Sequence, residues 1–268
     1  MTNANTNAST RTLPTVQPAA LEHRPMRQYS LSEVLLIWTG AALPMAVLAW
    51  LVAPWIAHRL TGPAALPRAL ILTLTAGLIW QFLLVVMLVY REQGSLRWPV
   101  VKDALWLHAP RHPSAARRGG WAWLIVVPLI AALALEELLP SLPVPVSRDM
   151  GLFLGSPIGQ TFLSGNWVWL GVILALQVFN TVLGEELLFR GLLLPRMHDT
   201  FGRGDWIANG VLFALYHLHA PWVIPQTLLD TFILAYPSKR YRSALIGIAV
   251  HSAQGLYFSA LVLALVLL

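Results

Sequence analysis

Long apolar runs separated by short polar or basic segments dominate the chain from about residue 32 onward. A helix needs roughly 20 apolar residues to cross a bilayer. The pattern predicts membrane helices over 32–57, 68–90, 119–139 and 167–195. A shorter apolar pair follows at 206–219 and 222–236, broken at Pro221, and a last helix runs over 243–268. Trp55, Trp98, Trp121, Trp123, Trp167 and Trp206 fall near the proposed ends, as in an interfacial aromatic belt. In the connector 91–118, Val100, Val101, Ala104 and Leu105 recur at helical spacing, which predicts a short helix on the membrane surface. The expected fold is all-α: a polytopic transmembrane bundle of about seven membrane helices with that short surface helix.

Residues 1–30 are rich in Thr, Asn, Ala and Pro and read as a disordered tail. They contain no apolar h-region of a cleavable signal peptide. The chain divides into this tail (1–30), membrane helices with their connector (31–163), and a core carrying the candidate chemistry (164–268).

Composition supports the membrane class. The chain is 57% hydrophobic and 11% charged, against about 25% charged in an ordinary soluble domain. A net charge of +6 in a soluble protein would suggest nucleic acid. Here it reflects basic loops on one side of the membrane, and no nucleic acid partner is expected. With the N-terminus in the cytoplasm, 14 Lys and Arg fall inside and 3 outside, with Arg190 within a span. Cysteine is absent, which excludes thiol catalysis, disulfides and thiolate metal sites.

The anomaly is Gly184-Glu185-Glu186-Leu187-Leu188-Phe189-Arg190-Gly191, inside an apolar span. A charge at that depth costs about 2.5–3.5 kcal/mol on insertion scales and marks a functional site by default. Glu186 and Arg190 stand at i, i+4 and can pair on one helix face. Glu185 points about 100° away and is left free for a cavity. At about 1.5 Å rise per residue, Glu185 and His217 each lie roughly 16 Å from the cytoplasmic helix end and His251 roughly 12 Å. Three ionisable side chains on three helices can therefore converge, with Asn180 a little over one turn before Glu185. His219, on the other face from His217, reads as structural or interfacial, and Asp230 as a group able to pair with a cation. Glu136-Glu137 lacks the following arginine and reads as a solvated helix end.

These residues resemble the CAAX protease and bacteriocin-processing family of intramembrane proteases, and within it the type II CAAX prenyl endopeptidases. The matching motifs are Glu185-Glu186 with Arg190, Phe213 with His217, and His251 followed by Gln254 and Gly255. The family usually carries Asn or Asp where this chain has Gly255. The resemblance implies an endopeptidase acting on a membrane-associated peptide or protein, with the lipid bilayer as its other partner, at the cell membrane. Glu185, His217 and His251 would be catalytic; Glu186, Arg190, Phe213 and Gln254 would support them. Two versions stay open: a metal-free, Glu-activated water, or a divalent metal such as zinc held by Glu185, His217 and His251, a His₂Glu set known from metalloproteases. No HExxH helix is present, which favours the metal-free version. The alternative function is a non-catalytic membrane scaffold or bacteriocin-immunity-type protein on the same fold.

Overall fold

The computed structural model describes residues 26–111, 118–136 and 142–268. Among these the fold is all-α, and four helices are long and apolar enough to cross a membrane. They are α1 (Leu31–Ala57), α2 (Ala65–Gln93), α7 (Trp167–Arg196) and α10 (Ala244–Val266). Between α2 and α7 lie α3 (Trp98–Ala104), the shorter apolar α4 (Gly120–Glu136), α5 (Met150–Gly155) and α6 (Pro157–Leu163). Between α7 and α10 lie α8 (Asp205–Tyr216) and α9 (Tyr236–Tyr241).

Local chemistry sets the helix ends. Ser30 and Glu33 form a reciprocal capping box at the start of α1. Gly94, at φ 68°, closes α2 in the left-handed conformation that glycine adopts without a Cβ penalty. Asp149, Ser156 and Asn166 cap α5, α6 and α7 through their side chains. The exposed large apolar side chains spread along the spans, among them Leu36, Leu51, Leu83, Val168 and Leu256. Such a surface suits lipid.

The short surface helix is present as α3, but it does more than rest on a membrane. Its end docks on α7: a Cβ on Gly191 would stand 3.3 Å from the Leu105 carbonyl oxygen. Residues 26–30, read as the end of a disordered tail, are also tied down. The Tyr29 amide donates to the Arg196 carbonyl at 2.8 Å, Gln28 Nε2 to the Pro195 carbonyl at 3.0 Å, and Thr200 Oγ1 to the Tyr29 carbonyl at 2.7 Å. The Tyr29 hydroxyl meets Glu92, which also accepts from Arg196 Nε at 2.9 Å. Burial of the aromatic ring is what ties this segment down, and it raises the phenol's pKa above its ordinary value. The rest of the expected tail, 1–25, and Glu137 lie outside the described residues. Glu136 is half-buried rather than solvated.

The shorter apolar pair departs most from expectation. Residues 205–216 form a regular helix, 217–229 break into short helical turns around Pro221 and Pro225, and a π-helical segment, Thr231–Ala235, then leads directly into α9. Proline removes backbone donors, so a continuous second helix is not available there.

Helix α7 is also irregular. It widens into π-helical turns over Phe179–Gly184 and again over Leu187–Leu193, with Glu185 and Glu186 between them. Such i→i+5 turns occur often at functional sites. Gly184 lets α2 approach: a Cβ there would stand 3.3 Å from the Leu78 carbonyl oxygen.

Candidate active site

The two neighbouring carboxylates are separated by what they face. Glu186 is fully buried and faces α10, where its Oε1 lies 3.2 Å from His251 Nδ1. The same oxygen stands 3.4 Å from Arg190 Nη1, within ion-pair distance though not aligned for a hydrogen bond. Glu185, 2% exposed, instead meets the Tyr216 hydroxyl of α8. That hydroxyl accepts from Gln81 Nε2 of α2 at 2.6 Å.

His251 bonds Glu186 rather than Glu185. The reason lies on α10: Gly247, one turn before His251, has no side chain, and a Cβ there would collide with Glu186 Oε2. The glycine opens the space that the carboxylate fills. Glu185 and His251 remain near enough for their charges to interact.

Phe213 is the hub of the cluster. The Arg190 guanidinium carbon lies 4.0 Å from its ring centroid, close enough for a cation–π contact. The His217 ring stands edge-on to it at 5.1 Å and the His251 ring at 6.3 Å. One phenyl ring therefore spaces the arginine and both histidines. Arg190 is fully buried, so this face and Glu186 supply much of its compensation.

His217 is half-buried, and its Nδ1 lies 3.0 Å from the Phe213 carbonyl. With Nδ1 donating to a carbonyl or carboxylate, each imidazole keeps Nε2 open for water, substrate or metal. His219 packs against His217 and Tyr216 and lines a separate cavity of about 500 Å³ with Arg148, Trp222 and Gln226. Asp230 is buried within charge-interaction range of Arg190, His251 and Glu186, so it belongs to the cluster. Gln254 is exposed and lines a cavity beside α10.

Among the described residues no three His, Asp or Glu side chains stand together as ligands. His217 and His251 both stand against Phe213, while Glu185 meets Tyr216.

Sequence reasoning missed Gln81 and Tyr216. Gln81 had a signal, being a lone carboxamide deep inside the second apolar run. Tyr216 had little, because an aromatic residue in an apolar helix is unremarkable until its hydroxyl finds a partner.

The protein is thus an all-α membrane bundle with a buried acid–histidine–arginine cluster across α7, α8 and α10. Residues 166–257 match the family described as type II CAAX prenyl endopeptidase Rce1-like. The chain carries the CAAX protease family pattern over this segment, about a third of its length. Comparison with curated proteins and with solved structures found no match.

Proposed function

We propose that the protein is an intramembrane endopeptidase hydrolysing a peptide bond near or within the bilayer by a Glu-activated water. One observation carries this reading: Glu185 lies buried near His251, and the Nδ1 atoms of His251 and His217 are held by Glu186 and by the Phe213 carbonyl. Glu185 takes a proton from water as the water oxygen bonds the scissile carbonyl carbon. It returns that proton to the amine nitrogen as the carbon–nitrogen bond breaks. His217 orients the water through Nε2. His251, when protonated, donates from Nε2 to the oxygen that becomes negative, while Glu186 holds its other nitrogen. Tyr216, backed by Gln81, fixes the Glu185 carboxyl group. Glu186 and Arg190 join α7 to the site and hold its geometry.

The excess of basic residues in the segments assigned to the cytoplasm supports an N-terminus on that side. The Rce1-like match supports proteolysis in general. A bound divalent metal would add Lewis-acid polarisation, and the metal-free version is preferred because no HExxH helix is present. Stoichiometric zinc in purified protein, lost to a chelator together with activity, overturns that preference.

The test is a proteomic comparison of wild-type cells with cells carrying Glu185→Gln. A membrane protein or peptide that accumulates uncut only in the mutant is the expected result. An unaltered proteome and phenotype with normally inserted Glu185→Gln protein overturns the endopeptidase reading and favours the scaffold alternative.

A further inference from the structure

A cavity of about 740 Å³ opens between α4, α7 and α10, on the side of α10 one turn beyond His251. Its volume falls within the usual 300–1,000 Å³ range of ligand pockets. Ile130, Leu133 and Phe258 supply apolar wall, while Gln177, Asn180 and Gln254 bring three carboxamides to it. The side-chain amides of Gln177 and Asn180 make no hydrogen bond among the described residues.

Gly255 ties this cavity to the candidate active site. It stands four residues after His251, on the same helix face. A Cβ at Gly255 would meet Thr181 Cγ2 at 3.0 Å and Gln177 Oε1 at 3.2 Å. The bare glycine thus leaves room for the Gln177 amide to stand one turn from His251. The Thr181 hydroxyl is already engaged, donating to the Gln177 carbonyl at 3.0 Å.

We propose that this cavity is the subsite for the substrate's main chain, taking an uncharged, extended peptide whose peptide group pairs with the side-chain amide of Gln177. The proposal rests on the endopeptidase reading above and names where that substrate lies. A carboxamide offers both donor and acceptor without charge, as a peptide unit does. Either group costs free energy if it is left unpaired away from water. In an extended peptide alternate side chains point to opposite faces, so one set can meet the apolar wall. A lipid acyl chain would fill the volume but leave the side-chain amides of Gln177 and Asn180 without partners.

The probe is an N-acetylated, C-amidated decapeptide of Leu and Ala with one central diazirine-bearing leucine. It is photolysed with full-length Glu185→Gln protein in lipid nanodiscs, and adducts are mapped by mass spectrometry. Adducts within 130–134 or 253–258 are expected. They should fall severalfold when the peptide's backbone amides are N-methylated, an arm that leaves the protein unchanged. Gln177→Leu should weaken the peptide's half-saturation roughly 2- to 12-fold, the range of one neutral hydrogen bond. Adducts elsewhere, or labelling indifferent to N-methylation, overturn the proposal. So does a diazirine-tagged phosphatidylcholine that labels the same residues undiminished by peptide. Hydrolysis by wild-type protein is read separately. Cavity adducts without any cleavage sink the endopeptidase reading alone, and Glu185-dependent cleavage with adducts elsewhere sinks the subsite alone.

Discussion

Replacing Gly247 with alanine tests how tightly the carboxylate cluster is built. An added Cβ would collide with Glu186 Oε2 and stand 3.2 Å from both Arg190 Cγ and Ser238 Oγ. Glu186, Arg190 and Ser238 are each fully buried, so none can swing into solvent to make room. Overpacking a filled interior costs about 1–3 kcal/mol. Alanine itself favours the helix by about 1 kcal/mol over glycine. Displacing Glu186 from His251 and Arg190 adds further loss, toward the roughly 3–5 kcal/mol of a broken buried pair. The expected net effect is a destabilisation of about 2–4 kcal/mol together with loss of activity. Gly171 is the internal control: it lies on α7, and a Cβ there meets nothing within 4 Å. Gly171→Ala should be neutral or more stable by up to about 1 kcal/mol. The assay is thermal unfolding followed by tryptophan fluorescence, with both variants in one detergent. If the two substitutions shift the midpoint equally, the close approach of Glu186 to α10 is refuted.

Arg190→Met should leave Glu186 buried without its cation and destabilise the protein by about 3–5 kcal/mol, seen as a lower unfolding midpoint and reduced yield. Arg190→Lys should recover part of this but not all, because lysine lacks the planar guanidinium set against Phe213. Tyr216→Phe should cost about 1–3 kcal/mol by leaving Gln81 without its acceptor, and should lower turnover more than it alters KM. Arg196→Ala removes hydrogen bonds to Glu92 and the Ala104 carbonyl. It should cost about 3–5 kcal/mol and expose the segment around Tyr29 to protease, measured by limited digestion.

The long spans were legible because an apolar run long enough to cross a bilayer leaves few alternatives, and α1, α2, α7 and α10 fall close to the expected bounds. The pairing of Glu186 with Arg190 was legible for a similar reason, being local to one helix. Contacts between helices were not. A helical wheel assigns Glu185 and Glu186 different faces but does not say which neighbour each face meets. That depended on Gly247, whose missing side chain admits Glu186 to α10. The π-helical turns of α7 were invisible too, since nothing in an apolar stretch marks i→i+5 bonding. The short helices α5 and α6 escaped notice because hydropathy over a long window averages them into the flanking segments. Residues 26–30 were misread because their composition is that of a tail, while one aromatic ring and Arg196 decide their place.

The fastening of Tyr29 to Arg196 also bears on the order in which the molecule is completed. Its hydrogen bonds join residues 167–171 positions apart in the chain. At about 5–20 residues per second, a ribosome needs on the order of 10–30 s to supply the second partner after the first. Once α2 is made the Tyr29 hydroxyl can meet Glu92, but the Tyr29 backbone and Gln28 must wait for the end of α7. The end of α7 gains its last lateral bonds only when the opening segment returns to it. Anything bulky fused next to Gln28 would interfere with that late closure without touching a single residue of the bundle.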